Sequence, residues 1–200
     1  MQGIDPAVVA ELLAFGRFAA ERDWVPATSG NFSQRLDAER IAITPSGVDK
    51  GRLRSGDLIV VPLHGRLPEG ASAETPLHLA RYRSDPSVGA VVHIHSVSAT
   101  VLSRAFAAEG ELVLEGFEMQ KALPQVNTHE STVRLPIFAN AQDTAGLAAS
   151  IDARLDRGVP GYLLAGHGLY VWGESMGLAR RHVEGLEFLL RCALEERRAR

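Results

Sequence analysis

Cysteine is nearly absent from this chain of 200 residues, which contains Cys192 alone. A single cysteine forms no internal disulfide and cannot build a cysteine-based metal site. A chain without disulfides fits the reducing cytosol, so we expect a cytoplasmic protein. The N-terminal segment also lacks the basic stretch and apolar core of a signal peptide, which agrees with that expectation.

Long apolar runs and a strong excess of one charge are missing as well. No apolar run approaches the roughly 18–20 residues of a membrane span, so we expect no membrane partner. Lys and Arg total 21 and Asp and Glu total 24, which gives a formal net charge of −3. Proteins that bind nucleic acid usually present a basic face to the phosphates. The balance of charges therefore argues against a nucleic-acid partner.

The pattern of apolar residues predicts one domain over residues 1–200. Helical stripes alternate with short strand-like runs, which indicates an α/β or α+β sandwich. Hairpin-like connections, such as the one between segments 32–35 and 40–44, predict a mixed or mostly antiparallel sheet. Pro136 lies within a short strand at 133–137. Because proline donates no backbone hydrogen bond, we expect this strand at a sheet edge.

The most informative stretch is residues 90–96, where an apolar, β-branched run ends in His93, Ile94 and His95. Side chains alternate between the faces of a strand, so both imidazoles project from the same face. Neutral imidazole nitrogens bind zinc at about 2.0–2.1 Å. The alternative is that the two histidines only finish a strand and form local hydrogen bonds. A His-x-His pair closing an apolar strand favours the metal site.

The best candidate for a third ligand is His167, which lies between Gly166 and Gly168 after an apolar run. Glycines allow the backbone to turn sharply and to approach a ligand closely. Three histidines with one open position form the arrangement of a catalytic zinc site. The remaining histidines lie in a polar turn, a helix, a loop and the last helix, and are weaker candidates: His64, His78, His129 and His182.

Three loops rich in small residues form a second candidate group. They contain Ser29-Gly30-Asn31, Ser46-Gly47 and Ser72. Backbone N–H groups and polar side chains in such loops can bind a phosphate, and Lys50 or Lys121 can add positive charge. Since no Gly-rich nucleotide fingerprint is present, a small phosphorylated substrate is favoured over a nucleotide.

Two acidic residues, Glu74 and Glu118, are candidates for proton transfer. Carboxylates in a metal pocket perform this chemistry, although most glutamates are solvated surface charges. Their positions in the sequence do not separate either residue from that ordinary role.

Five of these short motifs occur in an order that resembles the class II aldolase/adducin head family. They are Ser29-Gly30-Asn31, Thr44-Pro45-Ser46-Gly47, Ser72-Ala73-Glu74, His93-Ile94-His95 and Gly166-His167-Gly168. The resemblance extends from about Leu12 to Leu190. Each motif alone is common, but the joint pattern is highly specific.

The resemblance implies a three-layer α/β/α sandwich with a central, mostly antiparallel sheet. It also implies a homotetramer with active sites between subunits. A divalent metal ion, with zinc the best match, is expected on His93, His95 and His167. The substrate phosphate is expected on residues matching Asn31, Ser46, Gly47 and Ser72, with Gly30 and Lys121 as further substrate contacts.

Within the family, the resemblance is closest to dehydratases that remove water from a phosphorylated ketose. It rests on segments 72–78, 115–121 and 167–174, and it implies that Glu118 is the acid/base residue. Contact with Phe117 and Met119 is expected to raise the pKa of Glu118, so that the residue can act first as a base and then as an acid. Glu74 matches the catalytic glutamate of the aldolase branch and is the second candidate.

Two other functions remain open. An aldolase or epimerase acting on a sugar phosphate would use the same metal and phosphate loops, and Glu74 keeps this alternative open. An adducin-like scaffold without enzymatic activity is less favoured, because that branch can lose the metal-binding histidines and this chain has all three.

Overall fold

The computed structural model describes residues 3–155 and 158–199. Within these ranges the chain forms five α-helices and eight strands. The helices are α1 (Pro6–Ala20), α2 (Thr75–Ser84), α3 (Val97–Ala105), α4 (Thr144–Asp152) and α5 (Met176–Arg198). The strands are β1 (Asn31–Arg35), β2 (Arg40–Ile43), β3 (Ile59–Pro62), β4 (Ala90–Ile94), β5 (Glu111–Leu114), β6 (Val133–Phe138), β7 (Gly161–Leu164) and β8 (Gly168–Gly173). Short 3-10 helices cover Lys50–Arg52, Ser55–Asp57 and Glu118–Ala122.

The strands form one sheet in the order β3-β2-β1-β4-β8-β7-β6-β5. Every neighbouring pair is antiparallel except β6 and β7. The prediction of a mostly antiparallel sheet is therefore confirmed. Strands β4 and β8 lie near the middle of the sheet, where neighbours on both sides fix their register.

The prediction that Pro136 marks an edge strand is wrong, because β6 lies between β5 and β7. Pro136 is opposite Glu111 of β5, whereas pairing with β7 begins one residue later, at Ile137. The N–H of Ile137 is directed to the β5 side, where Gly110 accepts it at 2.8 Å. Neighbouring residues of a strand direct their N–H groups to opposite sides. The donor that Pro136 lacks would therefore face the β7 side at a position where pairing with β7 has not yet begun.

Each face of the sheet supports its own apolar core. On β4, Val92 belongs to a cluster that includes residues of α1, α3 and α5, while Val91 belongs to one that includes residues of α2 and α4. This division follows from the alternation of side chains along a strand. His93 has the same parity as Val91, so it projects from the face that carries α2.

Side-chain caps fix the starts of three helices. Asp5 accepts a hydrogen bond from the backbone of Ala7, with Pro6 in the first turn of α1. Ser96 caps α3 and Ser175 caps α5 in the same way. Within the described ranges, no helix combines the length and the apolar character needed to cross a membrane.

Candidate metal centre and substrate cleft

The sheet brings the three predicted histidines to one point. His93 is the fourth residue of β4, His95 follows the end of that strand, and His167 lies in the turn between β7 and β8. Their Nε2 atoms are 2.8 Å (His93 to His95), 3.3 Å (His93 to His167) and 3.2 Å (His95 to His167) apart. The convergence results from the pairing of β4 with β8, which places residues 74 positions apart side by side.

These distances fit one metal ion. Four ligands at about 2.0–2.1 Å in a tetrahedron are separated from one another by roughly 3.3 Å. The carboxylate of Glu74 joins the three imidazoles, and one ligand atom from each residue lies within 4.8 Å of the others. The chain therefore has a site for one divalent ion, and nitrogen ligands with a carboxylate suit zinc.

Hydrogen bonds turn the imidazoles toward this point. His93 Nδ1 lies 3.1 Å from the carbonyl oxygen of Leu169, and His167 Nδ1 lies 3.3 Å from Asn140 Oδ1. Each oxygen accepts a hydrogen bond from the Nδ1–H group, which leaves the Nε2 lone pair free for a metal. The ring of His93 also stacks on Tyr170, with centroids 3.9 Å apart and planes 13° from parallel.

The protonation of the site suits a cation. Burial lowers the pKa of His95 to about 4, with a further contribution from His167, and burial lowers the pKa of His93 well below its usual range. Burial alone would raise the pKa of Glu74, but His93, His167 and Asn31 outweigh it and hold that pKa far below its ordinary value. At neutral pH, His93 and His95 are therefore neutral and Glu74 is an ionised carboxylate.

Glycines next to the site allow its close contacts. A Cβ atom on Gly168 would lie 2.2 Å from the carbonyl oxygen of Ile94 and 3.0 Å from His93 Cε1. Gly30 has a φ of +72°, and a Cβ atom there would lie 2.8 Å from the carbonyl oxygen of His93. Larger residues at these two positions would push β4 away from its neighbours.

A cleft of about 260 Å³ opens beside the cluster. Predicted phosphate contacts line it together with other residues: Thr28, Ser29, Gly30, Asn31, Pro45, Ser46, Gly47, Lys50, Ser72, Glu74, His95 and His167. The Ser29 hydroxyl is buried and has no hydrogen-bond partner among the described residues. An unpaired buried hydroxyl is costly unless a ligand satisfies it.

Lys50 contributes the positive charge of this cleft. It is only 1% exposed, and its Nζ donates to the carbonyl oxygens of Thr28 (3.0 Å) and Val48 (2.8 Å). Burial lowers the pKa of its ammonium. Either lysine was a possible source of charge, and Lys121 was also expected as a substrate contact. Lys50 lines the cleft, whereas Lys121 is absent from its described lining.

Glu118 and Lys121 lie away from this cluster in the described chain. Both lie in the 3-10 helix Glu118–Ala122, with their side chains directed to solvent. Lys121 donates a hydrogen bond to Glu118, and His129 Nδ1 lies 3.7 Å from the Glu118 carboxylate. The expected rise in the pKa of Glu118 is wrong for this chain. The side chain is 71% exposed, and the hydrogen bond from Lys121 lowers that pKa.

The position of Glu74 beside the histidines was not predicted from the sequence, which gave this residue only as a second candidate for proton transfer. Its Oε1 lies 3.1 Å from His167 Nε2, and its Oε2 lies 3.5 Å from His93 Nε2. Glu74 immediately precedes α2, and the packing of that helix on the sheet brings it to the histidines. No spacing in the sequence indicates this contact.

The class II aldolase and adducin N-terminal domain family matches residues 10–194. The chain belongs to this family. Methylthioribulose-1-phosphate dehydratase of Sorangium cellulosum is 50% identical over 196 residues, covering 95% of this chain and 92% of the relative. The enzyme of the same name from Parvibaculum lavamentivorans is 49% identical over 191 residues, covering 94% of each chain.

Solved structures of the class II aldolase family share this fold. L-fuculose-1-phosphate aldolase from Thermus thermophilus is 31% identical, with a TM-score of 0.74, over 94% of this chain and 95% of that one. The class II aldolase-like fold with a mixed, mostly antiparallel sheet is thus confirmed.

Proposed function

We propose that this chain is a metal-dependent dehydratase that converts 5-methylthioribulose 1-phosphate into 2,3-diketo-5-methylthiopentyl 1-phosphate and water, a step of methionine salvage. Two relatives named methylthioribulose-1-phosphate dehydratase share about 50% sequence identity with it over nearly the whole chain. The observation that carries the proposal is the convergence of three imidazole Nε2 atoms beside a cleft lined by hydroxyl and amide groups.

The phosphate end of the substrate is assigned to the cleft. Asn31, Ser46, Gly47 and Ser72 supply amide, hydroxyl and backbone donors there, and Gly30 gives the backbone its close approach. Lys50 adds a cation at the same end. Hydrogen bonds from several neutral donors and one cation favour a dianionic phosphate.

The ketose end lies at the histidines. His93, His95 and His167 would hold one zinc ion, which supplies a Lewis acid for negative charge on the ketose oxygens. The positions of the three imidazoles also set the distance between the ketose oxygens and Asn31, which donates hydrogen bonds to the phosphate. The substrate is thereby oriented by its two ends, with its C3 and C4 atoms between them.

Proton transfer is assigned to Glu118, with Glu74 as the second candidate. The base takes the proton from C3, the C4–O bond breaks, and the C4 hydroxyl leaves with a proton as water. The resulting enol then rearranges to the second ketone. Glu118 lies in an exposed segment, so we propose that it enters the site of a neighbouring subunit in a homotetramer whose active sites lie at the interfaces.

We further propose that the helices on the two faces of the sheet form a three-layer α/β/α sandwich and that residues 1–200 are one domain. Two apolar clusters, one with α1, α3 and α5 and one with α2 and α4, support the layering. A cytoplasmic location remains a prediction from the composition.

An aldolase is the second candidate function. The contact of Glu74 with two of the histidines favours it, since this residue matches the catalytic glutamate of the aldolase branch. An aldolase would cleave the C3–C4 bond and release a triose phosphate and an aldehyde. An adducin-like scaffold is disfavoured, because all the atoms of a metal site are present.

The test is turnover of 5-methylthioribulose 1-phosphate by the zinc-loaded protein, with products separated by mass spectrometry. We expect a product lighter than the substrate by one water. A triose phosphate would instead establish the aldolase. Failure of the purified protein to retain more than traces of metal would favour the scaffold.

A further inference from the structure

A line of buried polar side chains leads from the interior of α2 to the metal centre. Tyr82 OH lies 2.9 Å from Ser33 Oγ, and Ser33 Oγ lies 2.7 Å from His78 Nδ1. His78 Nε2 lies 2.5 Å from Asn31 Oδ1. The Asn31 amide nitrogen then donates to Glu74 Oε2 at 2.6 Å. The four residues before Glu74 are each at most 3% exposed, so water does not compete for these contacts.

The donor and the acceptor of each hydrogen bond in this line can be assigned. A carboxylate only accepts, so Asn31 must turn its Nδ2 to Glu74 and its Oδ1 to His78. An amide oxygen also only accepts, so His78 carries its proton on Nε2. Burial lowers the pKa of His78 to about 4, so the ring is neutral and Nδ1 accepts. Ser33 therefore donates to His78, and Tyr82 donates to Ser33.

We propose that His78 is a positioning residue that fixes the orientation of the Asn31 amide toward the substrate cleft. With Oδ1 held by His78, Asn31 directs only N–H groups toward Glu74 and Ser72, the latter at 3.5 Å from Nδ2. A reversed amide would direct its oxygen toward the same cleft and would repel an anion. The role of His78 is thus to make Asn31 a donor for a phosphate.

This proposal rests on the assignment of the cleft to a phosphate, but it does not require the dehydratase reaction. The primary measurement is therefore the affinity of the zinc-loaded protein for inorganic phosphate, by calorimetry, in wild type, H78L and H78Q. Leucine at position 78 removes the donor, whereas the side-chain amide of glutamine keeps a donor for Asn31 Oδ1. Circular dichroism and metal content establish that each variant is folded and holds one zinc per chain.

We expect H78L to bind phosphate about tenfold more weakly and H78Q to stay within about threefold of wild type. In H78L the buried Oδ1 of Asn31 loses its donor, and Glu74 alone then holds the orientation of the amide. In steady-state kinetics, KM should rise more than kcat falls. Equal phosphate affinity in H78L and wild type, with full metal content, would overturn the proposal. So would an H78Q protein as impaired as H78L.

Two further variants test the direction of the line and serve if H78L does not fold. S33A removes the donor that holds the His78 tautomer, and Y82F removes only the donor to Ser33. We expect the loss of phosphate affinity to be larger in S33A than in Y82F. An effect of Y82F that equals or exceeds that of S33A contradicts the relay. If the variants lose phosphate affinity in this order but wild type does not dehydrate the ketose, the proposed function fails and the role of His78 stands.

Discussion

At the scale of single residues, His93 illustrates how the fold prepares a metal ligand. The ring is completely buried, stacks on Tyr170 and directs Nδ1 to the Leu169 carbonyl. Burial keeps it neutral by lowering its pKa. A neutral ligand with a fixed ring loses neither a proton nor rotational freedom when it binds a metal, so the apoprotein resembles the bound state.

His78 gives a prediction on stability and pH. Its pKa is about 4 in the folded chain, against an ordinary 6.5. Between these values the unfolded chain binds a proton that the folded chain does not, so stability is lost as the pH falls from 6.5 toward 4. The loss from this group between about pH 7.5 and pH 4.5 is roughly 2–3 kcal/mol.

The measurement is the free energy of unfolding of wild type and H78Q by urea titration at both pH values, with a chelator present. Metal ligands titrate in both proteins, so their contribution cancels in the difference. We expect the advantage of wild type over H78Q to shrink by that amount at the lower pH. A difference that is independent of pH means that the His78 pKa is not depressed.

The sequence predicted part of the centre because certain residues carry their own signal. His93 and His95 share a strand pattern, and His167 lies between two glycines, so each pointed to a ligand role. Glu74 was only the second candidate for proton transfer and Lys50 one of two possible cations, and neither was expected as a neighbour of the histidines. They reach the centre because α2 packs against the sheet and the segment around Lys50 packs against α1. Such packing depends on contacts between residues far apart in the sequence.

At the scale of elements, the start of α3 holds the second metal ligand. Ser96 follows His95 and caps this helix. Glu187, a buried residue of α5, accepts hydrogen bonds from Ser96 Oγ at 2.7 Å and from Ser98 Oγ. The last helix thus fixes the turn that carries His95. Burial raises the pKa of Glu187, an unfavourable effect that its two hydroxyl partners partly offset.

Replacing Glu187 tests this link. We expect E187A to lower the free energy of unfolding by about 2–3 kcal/mol, because two buried hydroxyls lose their acceptor. Metal retention against a chelator should also fall, since His95 is less firmly held. The matched control is E184A on the same helix, where the exposed pair with Arg180 contributes about 0.5 kcal/mol or less. Equal effects of the two variants would show that Glu187 has no special role.

Features that depend on a short stretch of sequence are easier to predict than features that depend on neighbouring elements. Asp5, Ser96 and Ser175 cap three helices through contacts with residues two or three positions away. The edge-strand prediction from Pro136 was wrong because the missing backbone N–H affects pairing on only one side of a strand. The side that β7 occupies is decided by the topology of the whole sheet.

At the scale of the whole molecule, the predicted acid/base residue Glu118 lies outside the cleft of its own chain. Its carboxylate is exposed, pairs with Lys121, and is absent from the described lining of the cleft. Met119 beside it is 40% exposed, and Val97 at the start of α3 is 67% exposed. In the proposed assembly, a neighbouring chain would supply the surroundings of Glu118, and a sequence pattern within one chain does not predict such a contact.

The proposed assembly predicts that two inactive variants restore each other. E118Q keeps the metal ligands, whereas H95A keeps Glu118, and each alone should lose at least about a hundredfold in kcat/KM. If Glu118 enters the site of the next subunit, mixed tetramers contain complete sites. Random mixing in equal amounts completes about one quarter of the sites of a ring, because each site needs an E118Q chain for its histidines and an H95A chain as its neighbour.

Co-expression of the two variants with different tags, followed by purification through both tags, yields such mixed tetramers. We expect their activity to rise well above that of either parent and to scale with the zinc content of the preparation. Unchanged activity in the mixture would place Glu118 and the histidines of one site on the same chain. Near-normal turnover by E118Q alone, with zinc bound, would remove Glu118 from the reaction and leave Glu74 as its base.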